Sequence, residues 1–264
     1  MNWQKRLRNM SEFLEQMKKK DYGLLHDYQA VGPSTIARQF FCERKVDFRC
    51  KHGEIHTEEK QLGAEIHDAQ LIGTKHISTE ELIKSIEQKW VLIVHELPLS
   101  AEIKGFPVRG RVDTVIFFQG YPRIVAELKN TTSTPRIYQN HRVQARMYGL
   151  LLDAVGFDCS DLELLIASQH VNAQQRNPPK GFYPKDLDQI VIHLRSHGKV
   201  NRLRRKENYY RELFPFDRDQ ALKELAWATE YWWGTREAIP TRNTNKCKVC
   251  EYKECERKDL FYST

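Results

Sequence analysis

The 264-residue chain contains no run of roughly eighteen apolar residues, the length a membrane-spanning helix needs, and its mean hydropathy is -0.65. No contact with a membrane is expected. The opening residues, MNWQKRLRNMSEFLEQMKKKD, carry basic flanks but lack the apolar stretch and small-residue cleavage site of a secretory signal, so a cytoplasmic protein is expected. Internal repeats and low-complexity segments are also missing. Cysteine is scarce, six residues in all, and in a large chain in a reducing compartment clustered thiols serve metals rather than disulfides. Acids are outnumbered: 35 Asp and Glu stand against 42 Lys and Arg, giving a formal charge of +7 and an isoelectric point near 9.0, which favours a polyanionic partner such as nucleic acid.

What is present reads as one mixed α/β domain with appendages. Residues 1–56 form an N-terminal helical segment, 57–169 the core, 170–240 a basic excursion followed by a C-terminal helix, and 241–264 a cysteine cluster. Trp3, Leu7, Met10, Phe13, Leu14 and Met17 recur at helical steps in the first segment. Ser34 is placed to cap a short helix over TIARQFFCERKV, and Thr57 to start another that carries His67. From Trp90 the texture turns to strands, WVLIVHELPL, PVRGRVDTVIFF and RIVAELK, with a turn at Gln119-Gly120-Tyr121-Pro122. Pro135 opens a long helix, LELLIAS reads as a buried strand, and residues 170–205 leave the core. A last helix begins near Asp217. The segment from Arg195 to Lys206 holds six basic residues and no acid, which suits phosphate neutralisation as well as a solvated surface.

Asp113, Glu127 and Lys129 carry the chemistry. Strand alternation puts Glu127 and Lys129 on one face, and a turn near Gly120 brings Asp113 opposite them if the pairing register is even. Two carboxylates at that range repel unless a cation lies between them, and oxygen ligands suit magnesium or manganese. Such a cation activates water and neutralises phosphate charge, while Lys129 can hold the attacking water or stabilise the transition state. The neighbours VDTVIFF and RIVAEL are apolar, so these charges sit against a core, where an unpaired charge is costly.

The run GRVDTVIFFQGYPRIVAELKN resembles the D...(D/E)-x-K signature of PD-(D/E)XK nucleases, in the form found in the RecB nuclease domain and the CRISPR-associated RecB-like exonucleases. Gly63-Ala64-Glu65-Ile66-His67 matches that family's G-x-x-x-H pattern, and Gln144 with Tyr148 its Q-x-x-x-Y pattern on the helix after the lysine. The resemblance implies a restriction-endonuclease-like core, a mixed sheet flanked by helices. It implies a metal held by His67, Asp113 and Glu127, with Gln144 and Tyr148 contacting substrate. It further implies a DNA exonuclease preferring single-stranded ends, with CRISPR integrase proteins as partners, or a repair or replication nuclease of the same fold. Val112 stands where the superfamily's name has proline, as is common in RecB-like members. A non-catalytic DNA-binding module would have lost Asp113, Glu127 or Lys129, and all are present.

Cys247-x2-Cys250-x4-Cys255 supplies three soft ligands, which select zinc or an iron-sulfur cluster. In the RecB-like iron-sulfur nucleases the fourth cysteine lies far upstream, closely followed by a basic residue, and Cys42 in CERKV fits. The resemblance therefore implies a [4Fe-4S] cluster on Cys42, Cys247, Cys250 and Cys255 that joins the two ends of the domain. Cys50 is the fallback ligand, and Cys159 reads as a core thiol. A zinc knuckle is the alternative, and the last spacing is one residue shorter than is usual in these nucleases.

Overall fold

Six strands form a single sheet in the computed structural model, which describes residues 2–58, 60–62, 64–65, 75–171, 203–206 and 208–256. They are β1 (Val91–Ile103), β2 (Phe106–Phe118), β3 (Tyr121–Thr131), β4 (Glu163–His170), β5 (Leu203–Lys206) and β6 (Tyr209–Pro215), in the spatial order β1-β2-β3-β4-β6-β5. Among the described strands only β3 and β4 pair in parallel, so the sheet is mixed, as expected. The helices described over their whole length are α1 (Trp3–Arg8), α2 (Met10–Lys19), α3 (Pro33–His52), α4 (Thr79–Gln88), α5 (Gln139–Val155), α6 (Arg218–Trp232) and α7 (Thr244–Lys248). No described helix is long and apolar enough to cross a membrane.

Parallel strands need a crossover, and α5 supplies it between β3 and β4. Its residues Val143 through Leu152, and Val155, are all buried, because the sheet covers one side of the helix while α3 and α6 cover the other. Leu150, Leu151 and Leu152 are at most 1% exposed, each contributing roughly 2 kcal/mol of apolar burial. The polar side chains of α5 must then find partners inside the protein. Arg146 forms a two-pronged pair with Glu224 of α6, at 2.7 and 2.5 Å. Gly149, in mid-helix, lies against the ring of Phe216; a Cβ there would come within 2.6 Å of Cδ2.

Several elements differ in extent from the sequence reading. The first helix is broken at Asn9 into α1 and α2. The helix assigned to Ser34 is capped by Gly32, with Pro33 in its first turn, and it runs on to Gly53, since no breaker intervenes. Within α3, Cys42 departs from helical geometry (φ -167°, ψ 113°). The helix expected from Pro135 starts at Gln139. Thr131, Ser133 and His170 tie the preceding turn through side-chain bonds that compete with helix, and His141 Nδ1 accepts from the Tyr138 N–H. Finally, part of the expected excursion rejoins the sheet. Leu203–Lys206 pairs with β6 as an edge strand, where charged residues are normal, although most of the basic stretch, residues 195–202, lies outside the described residues.

Candidate active site

A two-residue turn joins β2 to β3, with Phe118 paired to Tyr121 and both Gln119 (φ 51°) and Gly120 (φ 87°) in the left-handed region, the geometry that matches hairpin twist. If that register ran on, Asp113 would face Ala126. Instead it shifts between Phe117 and Ile116: Phe117 pairs with Pro122 but Ile116 with Ile124, leaving Arg123 as an extra residue on β3. The ladder then continues to Thr114–Ala126, whose next rung sets Asp113 against Glu127. The β2–β3 pairing ends there, whereas β3 stays paired to β4 as far as Thr131. Asp113 and Glu127 therefore stand at the mouth of a fork between two strands.

Across that rung the charge of Glu127 acts directly on the Asp113 carboxyl. Burial, and then the charge of Glu127, push the Asp113 carboxyl well above the usual carboxylate range. Glu127 is only 2% exposed and is offset by Lys129, whose Nζ lies 2.5 Å from Oε1. Burial works against the Lys129 ammonium, but Glu127 and Asp113 outweigh it and hold its pKa above the ordinary value. From α5, Gln144 fits between the two: its Oε1 accepts from Lys129 at 3.0 Å, and its Nε2 donates to Glu127 Oε1 at 3.0 Å and to the Tyr148 hydroxyl at 3.1 Å. Tyr148 in turn points its hydroxyl at Asp113, at a long 3.4 Å, and burial with the two carboxylates raises its pKa well above normal, so it remains a donor.

One atom in this network has no partner. Glu127 Oε2 is buried without a hydrogen bond, an uncommon state for a carboxylate oxygen. An unsatisfied buried oxygen beside a second carboxylate fits a hard divalent cation, which takes oxygen ligands. The structure thus brings together Asp113, Glu127, Lys129, Gln144 and Tyr148. His67 lies outside the described residues. Two further residues, which the sequence pattern does not single out, stand close. His141, one turn before Gln144, is held neutral by burial, Lys129 and Arg142, its pKa lowered to about 3. Glu96 on β1 acts electrostatically on both Asp113 and Tyr148. The only hint of Glu96 in the sequence is an acid inside the apolar run VLIVHELPL.

Midway along α3 the kink at Cys42 brings its thiol to the C-terminal segment, where the Thr241 N–H meets it. Cys42, Cys247, Cys250 and Cys255 line one small cavity together with Arg44, Lys45 and Lys246. Lys246 donates to the carbonyls of Phe40 (3.3 Å) and Phe41 (3.0 Å) next to the kink, and the Thr241 N–H reaches Cys42 Sγ at 3.4 Å. Cys50 lies elsewhere, with its thiol 3.8 Å from the Tyr28 hydroxyl, and Cys159 is buried, with its thiol pushed up by burial. Among the described residues no three His, Cys, Asp or Glu side chains are drawn close enough to hold a metal ion as they stand. Four thiols around one small cavity nonetheless have the chemistry to take a soft metal centre.

A profile of the PD-(D/E)XK nuclease superfamily matches residues 35–255. Comparison with curated proteins finds no match. A solved structure described as "Crystal structure of SSO0001" aligns with 91% of this chain and 92% of its own, at 14% identity and a TM-score of 0.40. The profile covers most of the chain, from just before Cys42 to Cys255, and encloses the whole Asp113–Glu127–Lys129 constellation; the chain belongs to the PD-(D/E)XK nuclease superfamily.

Proposed function

We propose that this nuclease is a metal-dependent DNA exonuclease that prefers single-stranded ends. The observation that carries the reading is the buried, unpartnered Glu127 Oε2 beside Asp113, with Lys129 pinned next to it. Asp113 and Glu127 would hold magnesium or manganese, with His67 as the third ligand. A divalent cation bound there neutralises phosphate charge and makes water a better nucleophile. Lys129 places its ammonium where charge develops on the phosphate oxygens. Gln144 fixes the lysine's direction, and Tyr148 keeps a hydroxyl proton on Asp113 until the site is loaded. Gln144 and Tyr148, one helical turn apart on α5, are the proposed phosphate or base contacts.

The cysteine cavity supports a [4Fe-4S] cluster on Cys42, Cys247, Cys250 and Cys255, with a structural role: it closes the chain over some two hundred residues. The resemblance to CRISPR-associated members points to trimming of captured DNA beside integrase proteins, and gene neighbourhood tests that role. The activity itself is tested by incubating the full chain with end-labelled single- and double-stranded DNA in magnesium, manganese or chelator. Metal-dependent shortening from single-stranded ends is expected, and Asp113→Ala, Glu127→Ala and Lys129→Ala should each abolish it. Cleavage unaffected by chelator, or by all three substitutions, would refute the reading.

A further inference from the structure

We propose that the cleft between α4 and the outer edge of β1 is the track on which a single DNA strand lies as it approaches Asp113, with Trp90 stacking one of its bases. The inference deepens the nuclease reading above and rests on it. β1 ends the sheet, so its outer edge faces no other described strand. Residues of β1 and α4 line a cleft of about 1010 Å³ there. One end of it reaches the reacting centre. Arg111, part of the lining, is two residues from Asp113 on β2. The β1 wall includes Glu96, whose rung lies between the His95–Thr114 and Leu97–Val112 pairs and so stands across from Asp113.

The cleft carries the charge that a phosphate backbone requires. Lys75, Lys84, Lys89 and Arg111 line it, against Glu81 and Glu96. Glu81 is engaged at the start of α4, where it accepts from the Ser78 N–H at 2.9 Å and the Ser78 hydroxyl at 3.0 Å. Lys84, Lys89 and Arg111 are exposed and enter no ion pair among the described residues, whereas Arg8, Lys20, Arg123 and Arg218 each hold an acid. Cations spaced along one groove exchange their counterions for phosphates. Trp90 follows Lys89 directly. It is 57% exposed, with its ring set edge-to-face on Phe118 at 5.3 Å between centroids, so it presents an aromatic surface in a fixed orientation. A base held inside a duplex cannot stack there, which ties the cleft to a single strand. At about 3.3 Å per residue, Trp90 and Glu96 lie roughly 20 Å apart along β1, the length of about six stacked nucleotides. An extended peptide would also fit a strand edge, but the basic lining favours a polyanion.

The test is binding of fluorescein-labelled oligothymidylates, about 3 to 12 nucleotides long, to the full chain in chelator, by anisotropy over a range of salt. Affinity should rise with length and level off near six to eight nucleotides. Replacing Lys84, Lys89 and Arg111 together by Ala should weaken binding by about tenfold or more and reduce the salt slope by about two. Trp90→Ala should cost about tenfold with the salt slope unchanged, and Trp90→Phe should recover part of it. All the variants should melt with wild type, since the side chains are exposed. A triple variant with wild-type affinity and slope would place the strand elsewhere and overturn the inference, while metal-dependent cleavage by the same protein would leave the nuclease reading standing. Equal competition by a blunt duplex, or by an oligoglutamate peptide, would also overturn it. If the wild-type chain neither binds nor cleaves DNA, the nuclease reading itself fails.

Discussion

Gln144 donates from Nε2 to Glu127 Oε1 at 3.0 Å, a bond between the crossover helix and the strand beneath it. Because the same amide accepts from Lys129 through Oε1, its orientation is fixed at both ends, and the lysine cannot swing away from the carboxylate without breaking two bonds.

Gln144→Ala should therefore lower the single-turnover cleavage rate by roughly 10- to 100-fold, the scale of losing a residue that orients a ligand. Gln144→Glu should be worse, since it sets a like charge against Glu127. Rates on end-labelled single-stranded DNA decide it; wild-type rates in Gln144→Ala would reduce the residue to packing.

The raised pKa of Asp113 gives a signed pH dependence. An acid whose folded pKa exceeds its unfolded one, about 3.9, binds its proton more tightly when folded, so this contribution is present at acid pH and is lost as pH rises. In chelator, Asp113→Asn should escape that loss, melting about 2–4 °C above wild type at neutral pH, with the gap shrinking toward pH 4. Manganese should invert the order, because only wild type gains from binding it. A gap that does not change with pH would contradict this account of the site.

Protein purified without oxygen should contain iron and sulfide and absorb broadly in the visible. Replacing Cys42, Cys247, Cys250 or Cys255 by Ser should lower the iron content and destabilise the fold by on the order of 3–5 kcal/mol, as losing a cross-link over so long a loop does. Cys50→Ser and Cys159→Ser should retain the iron. Zinc in place of iron would change the metal, and loss in Cys50→Ser with retention in Cys42→Ser would move the fourth ligand.

Gly149→Ala tests the packing of the central helix. Alanine is the better helix former by about 1 kcal/mol. The Phe216 ring leaves no room for its methyl, so net destabilisation of about 1–3 kcal/mol is expected in urea unfolding. Phe216→Leu in the same chain should relieve part of it. A stabilised Gly149→Ala would show that the ring yields freely.

Local patterning made much of this molecule readable from its residues. The Gln119-Gly120 turn between two apolar runs announces the hairpin, and the four-residue step from Gln144 to Tyr148 places both on one helical face. Cys42 and Cys50 lie on one helix, yet the four-cysteine pattern separates them in the same way as the cavity does. Long-range geometry was less legible. The strands β5 and β6 were missed because RRK and YYRELFP lack a strong apolar alternation; neighbouring strands and an edge position, rather than local pattern, make them strands. The kink at Cys42 leaves no trace in composition. Glu96 was hidden because an acid in an apolar strand has no meaning until its neighbour across the sheet is known.

The extra residue at Arg123 bears on how relatives of this chain align. A hairpin with the same turn and no bulge would need one residue fewer on β3 to set its glutamate against its aspartate. The interval between the two acids is thus free to vary by one while their spatial relation is kept. A gap in a comparison of such chains belongs inside the strand, beside Arg123, and a search pattern with a fixed Asp-to-Glu spacing would pass over members that differ only in that bend.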